Sequence, residues 1–306
     1  VPEIDIVRFA SVVIISACPT PSVCAAQTSR EETMSQVELK KRQQFDNKYI
    51  LRGYRPEKAD YLAVFTSLTF LHNETCNVHT HLIGALLLPL ISPIFLRFLA
   101  DPQFFNVSSM DYAMFNVYFW YAEVCLVLSA LYHLMQPHSH PHGMDLLGII
   151  IITVGTFSSG IYYVFFCEAN LQKLHWSIIL TTGTITGVLI SHPLLKTPRW
   201  RNVKAGAFVV FSSSSFIPLL HGVQRYGLTY MLQYSVSAQA YLLWHWSRSL
   251  RERLSPGTFD IWGSSHQIFH IAILCAIYTH VTALLQGFTT CHTLDVCSLQ
   301  GVHRAS

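Results

Sequence analysis

Long apolar stretches separated by short polar connections dominate the chain after residue 77. A helix that crosses the hydrocarbon core of a bilayer needs about 20 mostly apolar residues. Seven stretches meet that length, at roughly 78–99, 113–135, 146–167, 174–194, 205–223, 228–247 and 265–287. Residues 60–75, "DYLAVFTSLTFLHNET", follow another pattern. Tyr61, Val64, Phe65, Leu68 and Leu71 fall on one helical face, yet the segment is too short and polar to span. It reads as an interfacial helix lying on the membrane, or as a lid under the spans.

Composition sharpens this picture. The 306 residues include 20 Lys and Arg and 17 Asp and Glu, and 18 of those charges lie before residue 76. The mean hydropathy is +0.35. The expected architecture is an all-α membrane protein with seven transmembrane helices. Its organisation is an N-terminal tail (1–47), a membrane-apposed segment (48–77), the spans (78–287) and a C-terminal tail (288–306). The formal charge of +3 is too small to suggest nucleic-acid binding.

Orientation follows from Lys and Arg in the short loops. Lys40, Lys41, Arg42, Lys48, Arg52, Arg55 and Lys58 precede the first span. The fourth loop carries Lys196, Arg199, Arg201 and Lys204, and the sixth Arg248, Arg251 and Arg253. The other connections and the tail hold only Arg97, Lys173, Arg225 and Arg304. This alternation places the N-terminus in the cytoplasm and the C-terminus outside. The opening "FASVVIISA" is only nine residues long. It reads as sequence upstream of a natural start at Met34, because a cleaved signal peptide would export the basic segment that follows.

Eight cysteines form no recognisable framework. Cys76, Cys125, Cys167 and Cys275 lie in or beside apolar segments and are expected to be free thiols. Cys291 and Cys297 look free to pair.

The topology brings polar residues to one depth. His133 lies about one turn from the cytoplasmic end of span two, and Asp145 is in the first turn of span three. His266 and His270 occupy the first two turns of span seven. Histidines at i and i+4 share a helix face, the spacing by which one helix offers two metal ligands. His133 would complete a three-nitrogen site suited to Zn2+, with the fourth position open to water. Asp145 could orient that water or take its proton, and Ser129, one turn from His133, could hydrogen-bond to it or to a substrate carbonyl. Glu74, Asn77 and His81 could buttress the ligands or cap the first span, with Asn77 a candidate N-cap.

Other polar residues read more plainly. Glu123 near mid-span is structural or touches a ligand. His138, His140 and His142 read as a solvated loop, and His280 as a packing residue. Gly183 and Gly187 form GxxxG, which favours close helix packing. The candidate ligands cluster at one side instead of lining the membrane depth, which argues against transport.

The pieces "GYRP" at 53–56, "HNETCNVHTHLIG" at 72–84, "SALYH" at 129–133, "MDLLGI" at 144–149 and "FDIWGSSHQIFH" at 259–270 resemble the progestin and adipoQ receptor family, related to the haemolysin III proteins. "LQKLHW" at 171–176 and "PRWRNVKAG" at 198–206 are most similar to its adiponectin-receptor-like branch, which includes zinc-homeostasis membrane proteins. The resemblance implies seven helices, a cytoplasmic N-terminus and zinc held by His133, His266 and His270, with Asp145 and Ser129 beside it. It implies residence in the plasma membrane or an endomembrane. It also implies either hydrolysis of a lipid amide such as ceramide, or a response to a lipid or extracellular ligand in which zinc is structural. His79 departs from the pattern, standing where an aromatic residue is common.

Overall fold

The computed structural model describes residues 47, 49–55, 60–137, 143–192, 200–228, 250–293 and 297. Its regular elements are all helical. They are α1 (Tyr61–Thr66), continued by a 3-10 turn at Ser67–Thr69, then α2 (Thr75–Leu99), α3 (Ser109–Met135), α4 (Met144–Val164) and α5 (Ala169–Ser191). These are followed by α6 (Arg201–Ser214), α7 (Phe216–Tyr226), α8 (Leu250–Leu254) and α9 (Ser265–Thr293). Among the described residues, six stretches are long and apolar enough to cross a membrane: α2, α3, α4, α5, α9 and the combined Asn202–Tyr226. The expected span at 228–247 lies outside the described residues, Leu228 excepted. So do the segment before Met34, the loop histidines 138, 140 and 142, and most of the C-terminal tail.

The fifth expected span is two helices meeting at Ser215. Pro218 has no N–H to give the carbonyl of Ser214, so the regular ladder fails there. The hydroxyls of Ser214 and Ser215 turn back instead to the Phe211 carbonyl, at 2.7 and 3.2 Å. The expected helix over 60–75 is also shorter. Asp60 caps α1 by accepting from the Leu62 amide at 2.9 Å, and the helical backbone ends where Phe70 turns extended. Val64 is buried, whereas Tyr61 and Phe65 are exposed, so the apolar face covers only part of what the periodicity suggested.

The chain divides into two compact units. The first gathers the described residues within Val1–Ala85, Ser129–Pro141 and Ala240–Cys275, and the second those within Leu86–Leu128, His142–Gln239 and Ala276–Ser306. In the first, Val64, Val78 and Leu134 form a small core with Leu68 and Met135 against it. Gly53 has φ +80, and a Cβ there would run into Ile261 Cδ1. Its carbonyl accepts from the Asn73 amide at 2.8 Å, which anchors the turn leading into α2.

In the second unit, Ile150, Val154 and Ile161 of α4 pack with Ile179 and Ile190 of α5 and Phe211 of α6. Gly183 allows the close approach: a Cβ would stand 2.7 Å from Val154 Cγ2 and 3.2 Å from Phe211 Cε2. Gly187 has ordinary clearance, 3.6 Å from Leu147 Cδ1, so the GxxxG pair works mainly through its first member. Asp111 is fully buried and joins three segments, accepting from Ser108 Oγ at 2.7 Å and Tyr163 Oη at 3.2 Å and meeting His292 Nε2 at 3.0 Å.

The cysteines differ from expectation. Cys167 is bonded to Cys297, while Cys291 is a buried free thiol. Helix α4 stops at Val164, so Cys167 stands in the connection beyond it and not in a span. Cys291 lies on the buried face of α9.

Candidate metal centre

Within the first unit, α3 ends two residues after His133, and α9 begins one residue before His266. His133 Nε2 and His266 Nε2 are 3.2 Å apart, as are His266 Nε2 and His270 Nε2. The ligand nitrogens of all three lie within 4.8 Å of one another. Two nitrogens bound to one tetrahedral zinc at about 2.0–2.1 Å stand roughly 3.3–3.4 Å apart. The observed spacing fits that geometry. One proton between a pair of imidazoles cannot serve both contacts of His266 at once, whereas one cation can. His270 is fully buried, His133 nearly so, and His266 half-buried.

Glu74 prepares His133 for this role. Its Oε2 lies 2.7 Å from His133 Nδ1. An ionised carboxylate accepts only, so Nδ1 carries the proton and the Nε2 lone pair points at the other histidines. Burial by itself would raise the Glu74 carboxyl. When the imidazoles are doubly protonated, the charge of His133, the hydrogen bond to it, the charge of His266 and the bond from Asn77 together outweigh burial and hold the group well below the usual carboxylate range.

Glu74 is in turn held by local structure. Thr75 Oγ1 accepts from the His72 amide at 2.8 Å, and His72 Nδ1 accepts from the Glu74 amide at 3.1 Å. Helix α2 therefore starts at Thr75, and Asn77 is not its N-cap. Asn77 Nδ2 instead donates to Glu74 Oε2 at 2.6 Å, and Asn73 Nδ2 to Oε1 at 3.1 Å. His81 packs its ring 4.0 Å from that of His270, with Nε2 3.3 Å from the His270 carbonyl. Of the three expected supporting residues, Glu74 contacts both Asn77 and His133, and His81 packs on His270.

Ser129 is buried one turn before His133 on α3. Asp145 is half-buried in the first turn of α4, within the second unit. Glu123 and His280 also belong to that unit. Glu123 Oε2 is buried without a hydrogen-bond partner among the described residues. His280 is a packing residue, with Nε2 3.1 Å from Ser159 Oγ and its ring 4.5 Å from Tyr118.

Three buried residues escaped sequence reasoning. Arg55 donates to the carbonyls of His133 at 2.6 Å and Leu134 at 3.1 Å. The Glu252 carboxylate accepts from the Ser265 amide and, at 2.7 Å, from its hydroxyl. Gln267 accepts from the Gly263 amide at 2.7 Å and donates to the carbonyls of Ile261 at 2.7 Å and Asn73 at 3.2 Å. Arg55 had counted only as a loop charge. A polar residue placed between His266 and His270 was the one available hint of Gln267.

Known proteins are similar to this sequence. The haemolysin-III-related family pattern matches residues 69–281. The ADIPOR-like receptor IZH2 of Saccharomyces cerevisiae is 30% identical over 271 residues, covering 81% of this chain and 82% of that protein. The adiponectin receptor protein of Drosophila melanogaster is 31% identical over 253 residues, 77% of this chain and 55% of that protein, so the chain spans about half the fly protein's length. Heptahelical transmembrane protein 3 of Arabidopsis thaliana is 30% identical over 295 residues, covering 78% of this chain and 83% of that protein. With its membrane-length helices and its three converging histidines, this chain belongs to the haemolysin-III-related family of progestin and adipoQ receptor proteins, among the adiponectin-receptor-like members.

Proposed function

We propose that this chain is a multi-pass membrane receptor in which a zinc ion held by His133, His266 and His270 is structural. The ion would tie the end of α3 to the start of α9, and a lipid or extracellular ligand would bias that packing. The single observation that carries this reading is the 3.2 Å spacing of the Nε2 atoms, with His133 oriented by Glu74. Asp145 is assigned to complete or steady the ligand set. The names of the yeast and fly relatives, both called receptors, agree with it.

The orientation we infer places the N-terminus in the cytoplasm and the C-terminus outside, in the plasma membrane or an endomembrane. The loop charges support it, and so does the Cys167–Cys297 pairing. Disulfides persist outside the reducing cytosol, which suits a connection between the third and fourth spans and a tail on the far side. The metal site then lies at the cytoplasmic face.

A second reading, hydrolysis of a lipid amide such as ceramide, draws on the three-nitrogen ligand set, which leaves a fourth position open. A bound zinc ion would supply polarisation of a carbonyl and a water of lowered pKa. Asp145 would hold and pass the proton to the leaving amine, and Ser129 would hydrogen-bond the substrate carbonyl.

Purified protein incubated with ceramide separates the two. The structural reading expects chelation to lower the melting temperature, with no fatty acid released before or after. Zinc-dependent release by the wild type that is absent from His266→Ala would replace it with the hydrolase.

A further inference from the structure

The metal ligands project from two helix ends, and each end is gripped by a buried ion that is not itself a ligand. We propose that Arg55 and Glu252 are positioning residues for the metal site; the inference rests on the metal reading above and deepens it.

His133 belongs to the last turn of α3, where carbonyls have no partner within the helix. Arg55 takes two of these, at His133 and Leu134. Its third bond, 2.7 Å to Ser67 Oγ, fixes it to the 3-10 turn after α1, and Ser67 Oγ donates onward to the Val64 carbonyl at 2.6 Å. One ligand is therefore held twice: its ring by Glu74 and its backbone by Arg55. At α9 the logic is reversed. The first amides of a helix lack partners, and Glu252 accepts from Ser265, the residue just before His266. Arg55 at a helix C-terminus and Glu252 at a helix N-terminus each complement the helix dipole. Both side chains are more than nine-tenths buried.

Metal affinity responds to displacements of a few tenths of an ångström in ligand position. Arg55 bonds to the carbonyls of His133 and Leu134, and Glu252 to the amide of Ser265, so each acts through the backbone that carries a ligand. Gln267 adds a third anchor by tying the loop before α9 to Asn73, the residue next to Glu74. The loop–helix junctions at 53–55, 72–75 and 261–265 thus form one frame, with the histidines set inside it.

The test uses the full chain in detergent. Zinc affinity is read by competition with a chromophoric chelator, and ligand geometry by the visible bands of the cobalt-substituted protein. Arg55→Lys keeps the charge but loses the fork that reaches two carbonyls. Glu252→Gln keeps the shape and removes the charge. Arg52→Gln is the control, at an exposed arginine paired with Asp260 at 3.5 Å. The expected result is zinc binding weakened by about 10–100-fold in both variants, shifted cobalt bands, unchanged metal content at saturation and an unaffected control. Wild-type affinity and bands in both variants would overturn the inference even if their melting temperatures fall. Should Arg55→Lys not fold, Glu252→Gln decides alone; loss of folding in both assigns the residues to folding and overturns the inference. A wild type that takes up no metal overturns the metal reading itself, an outcome distinct from metal-loaded wild type with unchanged variants.

Discussion

Glu74 Oε2 sits 2.7 Å from His133 Nδ1, and both side chains are buried. This contact orients a histidine at a helix end so that its Nε2 faces His266, the arrangement a metal ligand would need. Without it the imidazole could present either nitrogen, and the ring could turn about its Cβ–Cγ bond. A carboxylate behind a ligand histidine also makes its free nitrogen more basic.

Glu74→Gln is therefore expected to keep the fold and weaken metal binding. The amide oxygen can still accept from His133, but the charge is gone, and the Asn73 and Asn77 amides lose a strong acceptor. The predicted loss is about 10–100-fold in zinc affinity, read by chelator competition.

The Cys167–Cys297 bond closes a separation of 130 residues. Reduction, or Cys297→Ser, should destabilise the folded chain by about 2–5 kcal/mol. The measurement is thermal unfolding in detergent with and without reductant. Cys291→Ser should leave the disulfide intact on non-reducing peptide mapping, since Cys291 is a free thiol.

His72 is buried at the turn before α2. Burial foremost, then the nearby charge of Arg55, hold its imidazole well below the ordinary value of 6.5, outweighing the raising effect of Glu74. The unfolded chain therefore takes up a proton that the folded chain refuses. Well above pH 6.5 both states are neutral and the group adds no pH dependence. Below that value stability should fall with decreasing pH, down to the folded value. His72→Gln should flatten this slope relative to wild type in melting temperatures measured from neutral to mildly acidic pH.

Gly183 and Gly187 should behave differently under the same change. At Gly183 a methyl group meets Val154 and Phe211 at 2.7 and 3.2 Å, so Gly183→Ala should cost about 1–3 kcal/mol by overpacking. At Gly187 the nearest atom is 3.6 Å away, and Gly187→Ala should lie within about 0.5 kcal/mol of wild type. Thermal unfolding of the two single variants checks this.

Much of the fold, and the histidines that converge, were legible in the sequence for physical reasons. Apolar length alone marks a membrane helix, and the described boundaries differ from expectation by a few residues. His266 and His270 were readable because i and i+4 share a face. His133 was readable as a histidine one turn from the end of an apolar stretch. Arg55, Glu252 and Gln267 were not, because each bonds to backbone in turns whose course no periodicity reveals. The same blindness misplaced Asn77: α2 begins at Thr75, where His72 and Thr75 exchange bonds. It also misassigned Cys167, since a span drawn to residue 167 hid a thiol that stands clear of α4. Pro218 signalled the break at Ser215, yet hydropathy averages across it.

We propose that His133, His266 and His270 together hold one metal ion. Elemental analysis of the purified protein, wild type against His133→Ala, tests it most directly. About one zinc per wild-type chain and a large loss in the variant are expected. Equal zinc in the two proteins, or none in a folded wild type supplied with the metal, would contradict it.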